Sequence, residues 1–193
     1  MARTQSADYD ARRLHILDQA ATLFARQGFK ETSVAQIAVL ADVSKSLIYH
    51  YFPSKEDILF GAMSSHVDEL LADAAEVLAS TDEPSEQLAR LLRRYTEHYA
   101  AAGTRQKVLL NELRSLPLEQ RAEIVRKQRE IVERVQALVV ALDPALRRKP
   151  AKAKVKTMLL LGMINWMHTW YNPSGPITTA EVADLAFELV QAS

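Results

Sequence analysis

Cysteine is absent from the chain, which excludes a disulfide framework and any thiolate metal site and leaves nothing that points to export. The start, MARTQSADYDARR, lacks the apolar core of a signal peptide. Membrane-length runs are missing as well. The most apolar run, Thr157 to Tyr171, contains Asn165 and His168 and is shorter than the roughly 20 residues a membrane span needs; it reads as a buried helix. The five histidines, His15, His50, His66, His98 and His168, show neither H-E-x-x-H nor E-x-x-H ligand spacing, and no nucleophile has a recognisable setting. Neither a metal centre, a cofactor site nor an enzyme is therefore expected. Strand-like alternation, internal repeats and low-complexity stretches are absent too. What remains is an all-α, cytoplasmic protein of 193 residues, 48% apolar and of zero net charge, long enough to bury a sizeable core in one large or two smaller domains.

Residues 33 to 57, SVAQIAVLADVSKSLIYHYFPSKED, are the most informative stretch. Ser33 with Gln36 forms an S-x-x-Q capping box at a helix start. Val34, Ile37, Ala38 and Ala41 follow at the i, i+3, i+4, i+7 spacing of a buried face. Asp42 falls where a tight turn needs a left-handed or bridge conformation, which aspartate tolerates better than most residues. A second helix starts at Ser44, with Val43, Ile48 and Phe52 directed toward the first. That leaves Lys45, Ser46, Leu47, Tyr49 and His50 for solvent or a partner.

The exposed set suits double-stranded DNA. Lys45 can meet a guanine edge or a phosphate, Ser46 permits close approach, and Leu47 can touch a thymine methyl in the major groove. Tyr49 and His50 can donate to phosphate oxygens, which fix register rather than read sequence. Pro53 stops the second helix, and Ser54 with Asp57 caps the next. Lys55 lies in its first turn, where charge and helix dipole both favour a phosphate.

With the helix at Ala11 to Gln27, then TSVAQIAVLADVS, then KSLIYHYFPSKEDIL, the chain resembles the DNA-binding domain of the TetR family of transcriptional regulators. The resemblance implies phosphate contacts from Ser33, Tyr49, His50 and Lys55, and base-facing roles for Lys45, Ser46 and Leu47. Many members carry Gly where this chain has Asp42, and Gly or Pro where it has Ser46. The implied division is a helix-turn-helix domain over residues 1–57 and a helical ligand-binding and dimerisation domain over residues 58–193.

A strongly basic face is lacking. Residues 1–57 hold Arg3, Arg12, Arg13, Arg26, Lys30, Lys45 and Lys55 against Asp8, Asp10, Asp18, Glu31, Asp42, Glu56 and Asp57. The positive footprint is therefore local, from Arg3, Arg26, Lys45 and Lys55, and the salt dependence of DNA binding should be modest.

Beyond residue 57 every signal is helical: Ile58–Leu78, Ser85–Ala101 ended by Gly103, Arg105–Leu116 closed by Pro117, Leu118–Leu142, an apolar helix running to Tyr171, and a last helix capped by Thr178 and Glu181. The total is about nine helices. Residues 157–171 are apolar nearly all round, and Val182, Leu185, Ala186, Leu189 and Val190 form a second stripe. Such helices need covering twice, by their own core and by a symmetry mate. The family resemblance implies the same homodimer. Its reading helices would sit roughly 34–36 Å apart, or a multiple of that, on a palindromic operator.

Polar residues on the apolar helices, Tyr95, His98, Tyr99, Asn111, Glu112, Ser115, Asn165, Trp166 and His168, either line an effector cavity or are each satisfied locally. Tyr95, Tyr99, Asn111, Glu112, Ser115, Asn165 and Trp166 are the candidate ligand contacts. The segment INWMHTWYNPSGPITTAEVADLAFELV resembles TetR regulators of fatty-acid, sterol and phenylacetate degradation, several of which respond to acyl-CoA thioesters. Arg147, Arg148, Lys149, Lys152, Lys154 and Lys156 are either a solvated basic loop or a site for the CoA phosphates, with apolar area for the acyl tail. The expected function is that of a repressor released from its operator by a small effector such as an acyl-CoA. The alternative is a helical adaptor that uses its apolar terminal helices to bind another protein.

Overall fold

The computed structural model describes residues 2–101 and 103–191, with side chains from residue 8 onward. Among the described residues there are ten α-helices, two 3₁₀ turns and no strand. The helices are α1 (Ala2–Gln27), α2 (Val34–Leu40), α3 (Lys45–Tyr51), α4 (Lys55–Leu78), α5 (Pro84–Ala101), α6 (Gly103–Glu112), α7 (Leu118–Leu142), α8 (Pro150–Asn165), α9 (Met167–Trp170) and α10 (Thr179–Gln191). None of the described helices is long and apolar enough to cross a membrane.

Two compact units divide the chain, one of residues 1–66 with 104–124, the other of 67–103 with 125–193. This partition differs in extent from the motif-based division at residue 57. It groups what packs together.

In the first unit Ile16, Leu17, Ala20 and Phe24 of α1 are buried together with Ile37, Ile48, Phe52, Ile58 and Met63. Each fully buried aliphatic or aromatic side chain stabilises the fold by roughly 1.5–3 kcal/mol. Gly28 ends α1 at φ 85, its N–H bonded to Phe24 O at 2.9 Å, the left-handed stop that glycine adopts without steric cost. Residues 104–124 join this unit through polar ties: Arg105 Nε to Asp18 Oδ1 at 3.3 Å, His66 Nε2 to Gln106 Oε1 at 2.8 Å, and Gln120 Nε2 donating to Asp57 Oδ1 at 2.8 Å.

The second unit is organised on α5, whose Leu88, Leu91, Leu92, Tyr95 and Tyr99 are buried as the stripe predicts; α10 packs on α5 and on α8. Two boundaries differ from expectation. Gly103 opens α6 rather than closing α5, since glycine is tolerated at a helix start as well as at its end. The apolar helix also breaks at Trp166. His168 Nδ1 bonds Asn165 O at 2.9 Å, and Thr169 Oγ1 donates to Trp166 O at 2.8 Å. Side chains thus take carbonyls that a continuous helix would use.

Candidate nucleic-acid interface

The reading head is shaped by local hydrogen bonds. Ser33 Oγ accepts from Gln36 N at 3.2 Å while Gln36 Oε1 accepts from Ser33 N at 2.8 Å, the complete reciprocal box. Asp42 takes φ 52, with Val43 N bonded back to Ala38 O at 3.0 Å. Ser44 Oγ accepts from Leu47 N at 3.0 Å and starts α3. Ile48 and Phe52 are buried, Leu47 and Tyr51 half-buried, and Lys45, Ser46, Tyr49 and His50 exposed. Lys45 Nζ lies 5.7 Å from the centroid of the Tyr49 ring, so the cation rests along an exposed aromatic on the same helical face. Beside them an open groove of about 670 Å³ is lined by Ala35, Ala38, Val39, Asp42, Val43, Ser44 and Lys45. Val39 is 84% exposed. It lies off the buried stripe of α2 formed by Val34, Ile37 and Ala38.

Ser33 and Lys55 differ in how far the fold already engages their donors. Ser33 is exposed, and its oxygen serves the cap while its hydroxyl proton stays free to donate. Lys55 is already engaged within the fold. Its ammonium donates to Phe29 O at 2.8 Å, Thr32 O at 2.8 Å and Lys30 O at 3.4 Å, and sits 4.3 Å from the Phe29 ring centroid. An ammonium has three protons, and the carbonyls of the α1–α2 turn take all three. Of the other cations expected in the footprint, Arg26 is exposed, and the side chain of Arg3 lies outside the described residues.

This head, capped at both helices and presenting a polar α3 face, coincides with the match to a family profile described as "Bacterial regulatory proteins, tetR family", over residues 16–62. A second profile, "Tetracyclin repressor-like, C-terminal domain", matches residues 81–193. The chain belongs to the TetR family of transcriptional regulators.

This TetR-family chain is 26% identical over 187 residues to the HTH-type transcriptional repressor KstR2 of Rhodococcus jostii (strain RHA1), covering 93% of this chain and 89% of that one. It is similar in structure to a TetR-family transcriptional regulator from Bordetella parapertussis 12822, with 38% identity, a TM-score of 0.86, and coverage of 92% of this chain and 93% of the other. It is also similar to AibR, solved in complex with isovaleryl coenzyme A and operator DNA, at 25% identity and a TM-score of 0.78 over 92% of this chain and 97% of that one.

The candidate ligand contacts of the regulator separate into groups. Tyr95 and Tyr99 are buried in the second unit, ring centroids 6.2 Å apart, and Tyr95 Oη donates to Leu70 O at 3.0 Å. Burial, and secondarily the Asp73 charge, raises the Tyr95 phenol far above its ordinary range; burial, then Tyr95, does the same for Tyr99. Both are neutral donors. In the first unit Asn111 is exposed, and Glu112 Oε1 accepts from Phe29 N at 3.2 Å. Ser115 Oγ donates to Glu112 Oε2 at 2.9 Å. At the α8–α9 break Asn165 is half-buried and Trp166 is 61% exposed. An open surface pocket of about 390 Å³ in the second unit is lined by Asp73, Arg94, Glu97, His98 and Ala101. His98 Nε2 meets Asp73 Oδ2 at 2.6 Å there, and Arg94 Nη1 meets Asp73 Oδ1 at 3.0 Å. Its charged lining contrasts with the apolar wall an acyl tail needs.

Proposed function

We propose that this regulator is a homodimeric, cytoplasmic repressor that binds a palindromic operator and is released by an acyl-CoA thioester. In this reading residues 1–57 read DNA and residues 58–193 bind the effector and dimerise. The carrying observation is the α3 face, where Lys45, Ser46, Tyr49 and His50 are exposed over a buried Ile48 and Phe52. Ser33, Lys45, Ser46, Leu47, Tyr49 and His50 are its DNA contacts; Lys55 acts through the turn it holds.

Self-association is supported by the outer faces of α8 and α10, where Val155, Leu159, Trp166, Leu185 and Leu189 are each more than half exposed in a single protomer. Exposed apolar side chains of this kind suit an interaction surface. The thioester reading draws on the similarity to AibR, solved with isovaleryl coenzyme A and operator DNA, and to the repressor KstR2. It is further supported by Arg147, Arg148, Lys149, Lys152 and Lys154, all exposed, with no ion pair among the described residues. Such cations suit the CoA phosphates. An effector releases DNA only through different affinities for the bound and free conformations.

The test is fluorescence anisotropy with a duplex that the protein itself enriches from a randomised pool, titrated with isovaleryl-CoA and with longer acyl-CoAs. Release of the duplex by a thioester but not by free CoA is the expected result. Thioester binding that leaves duplex affinity unchanged sinks the switch.

A further inference from the structure

The turn between α1 and α2 is gripped from two directions by charged side chains that belong to neither helix. From α4, Lys55 holds the carbonyls of Phe29, Lys30 and Thr32. From the end of α6, the Glu112 carboxylate accepts the N–H of Phe29 at 3.2 Å and is braced on its other oxygen by the Ser115 hydroxyl at 2.9 Å. A carboxylate on a backbone amide is a charge-assisted bond, about twice as strong as a neutral one. Gly28 sits directly beneath it: a Cβ there would lie 3.4 Å from Glu112 Oε1, and its φ of +85 is one that other residues rarely adopt.

The grip continues into α2. Thr32 is buried and donates its hydroxyl to Gly28 O at 2.8 Å. Gln27 Nε2 donates to Glu31 O at 3.0 Å and Thr32 Oγ1 at 3.2 Å, and reaches Gln36 Oε1 at 3.4 Å. Gln36 is the residue that closes the capping box on Ser33. An unbroken set of hydrogen bonds therefore runs from the end of α6 to the first turn of α2.

We infer that Glu112 is a positioning residue for operator recognition, through which the end of α6 holds the α1–α2 turn and so the seat of the reading head. The inference rests on the reading of α2 and α3 as the operator contact. Glu112 itself touches no base or phosphate. Its side chain is half-buried and outside the apolar core, so its removal leaves the packing of Phe24, Ile37 and Ile48 intact while freeing the turn.

The experiment compares the full-length wild type, Glu112→Ala and Glu112→Gln on two duplexes: one enriched by the wild type from a randomised pool, and a scrambled duplex of the same composition. For Glu112→Ala the selected duplex is expected to bind about tenfold more weakly, and the scrambled one within about twofold of wild type, because a displaced head loses base readout before phosphate attraction. Glu112→Gln keeps an oxygen for the Phe29 amide and should stay within about threefold on both. Hydrogen exchange reads the same bond independently, with a Phe29 amide that is protected in the wild type and in Glu112→Gln and faster in Glu112→Ala. Equal losses on the two duplexes, wild-type binding by Glu112→Ala, or a Glu112→Gln protein as impaired as Glu112→Ala each overturns the inference. A pool from which the wild type enriches no duplex overturns the reading of the head, and this inference with it.

Discussion

Lys45 Nζ lies 5.7 Å from the centre of the Tyr49 ring, one helical turn along the exposed face of α3. The pair presents a cation and a phenol side by side, the first suited to a base edge and the second to a phosphate oxygen. Lys45→Ala is therefore expected to weaken the selected duplex and to blur preference between it and a scrambled one. Tyr49→Phe should weaken both about two- to fivefold. Equal losses on the two duplexes for Lys45→Ala, measured by anisotropy, would remove it from base reading.

Lys55 gives the opposite expectation. Its protons go to the carbonyls of Phe29, Lys30 and Thr32. Lys55→Ala should thus cost stability, on the order of 1–3 kcal/mol for hydrogen bonds to a charged group, while the slope of log affinity against log salt stays as in wild type. A lysine bound to phosphate would lower that slope by about one. Chemical denaturation and binding at several salt concentrations separate the two.

On α8, Leu159 is 65% exposed in one protomer. If the proposed homodimer forms through this face, Leu159→Glu is predicted to leave the helical content unchanged by circular dichroism and to halve the mass seen by light scattering. A Leu159→Glu protein that remains dimeric would show that α8 is not the shared face.

The start of α10 carries a pH signature. The Thr178 N–H and hydroxyl both donate to Glu181 Oε2 at 2.8 Å, and these bonds, the backbone one first, hold the Glu181 carboxyl below its ordinary range. A carboxylate whose folded pKa is depressed adds stability above its unfolded pKa and loses it as pH falls through the folded one. Wild type should therefore melt above Glu181→Gln at neutral pH. The difference should close as pH drops from the ordinary glutamate range to below it. A gap that persists at the acid end would exclude the carboxylate as its source.

What could be read from the chain was what is local. The Ser33–Gln36 box, the left-handed Asp42 and the buried Ile48 and Phe52 all follow from spacings of a few residues, and α7 begins and ends at its prolines, Pro117 and Pro144. The carbonyls that Lys55 holds lie 23 to 26 residues upstream, a separation at which spacing within its own helix carries no signal. The amide that Glu112 holds is likewise out of reach of local spacing, 83 residues away. The α8–α9 break turned on which carbonyls His168 and Thr169 would take, a competition that apolar periodicity does not register.

Asp42 is an exposed anion at the bend between the two helices of the head, close in sequence to the cation Lys45. On the proposed reading a phosphate that strays toward this bend meets repulsion, so misplaced registers are rejected as well as correct ones rewarded. With seven cationic and seven anionic residues in the first 57, the head is expected on that reading to be held only weakly on random duplex. Such a protein should let go of the wrong DNA quickly, and it would search a genome by brief visits rather than by long sliding.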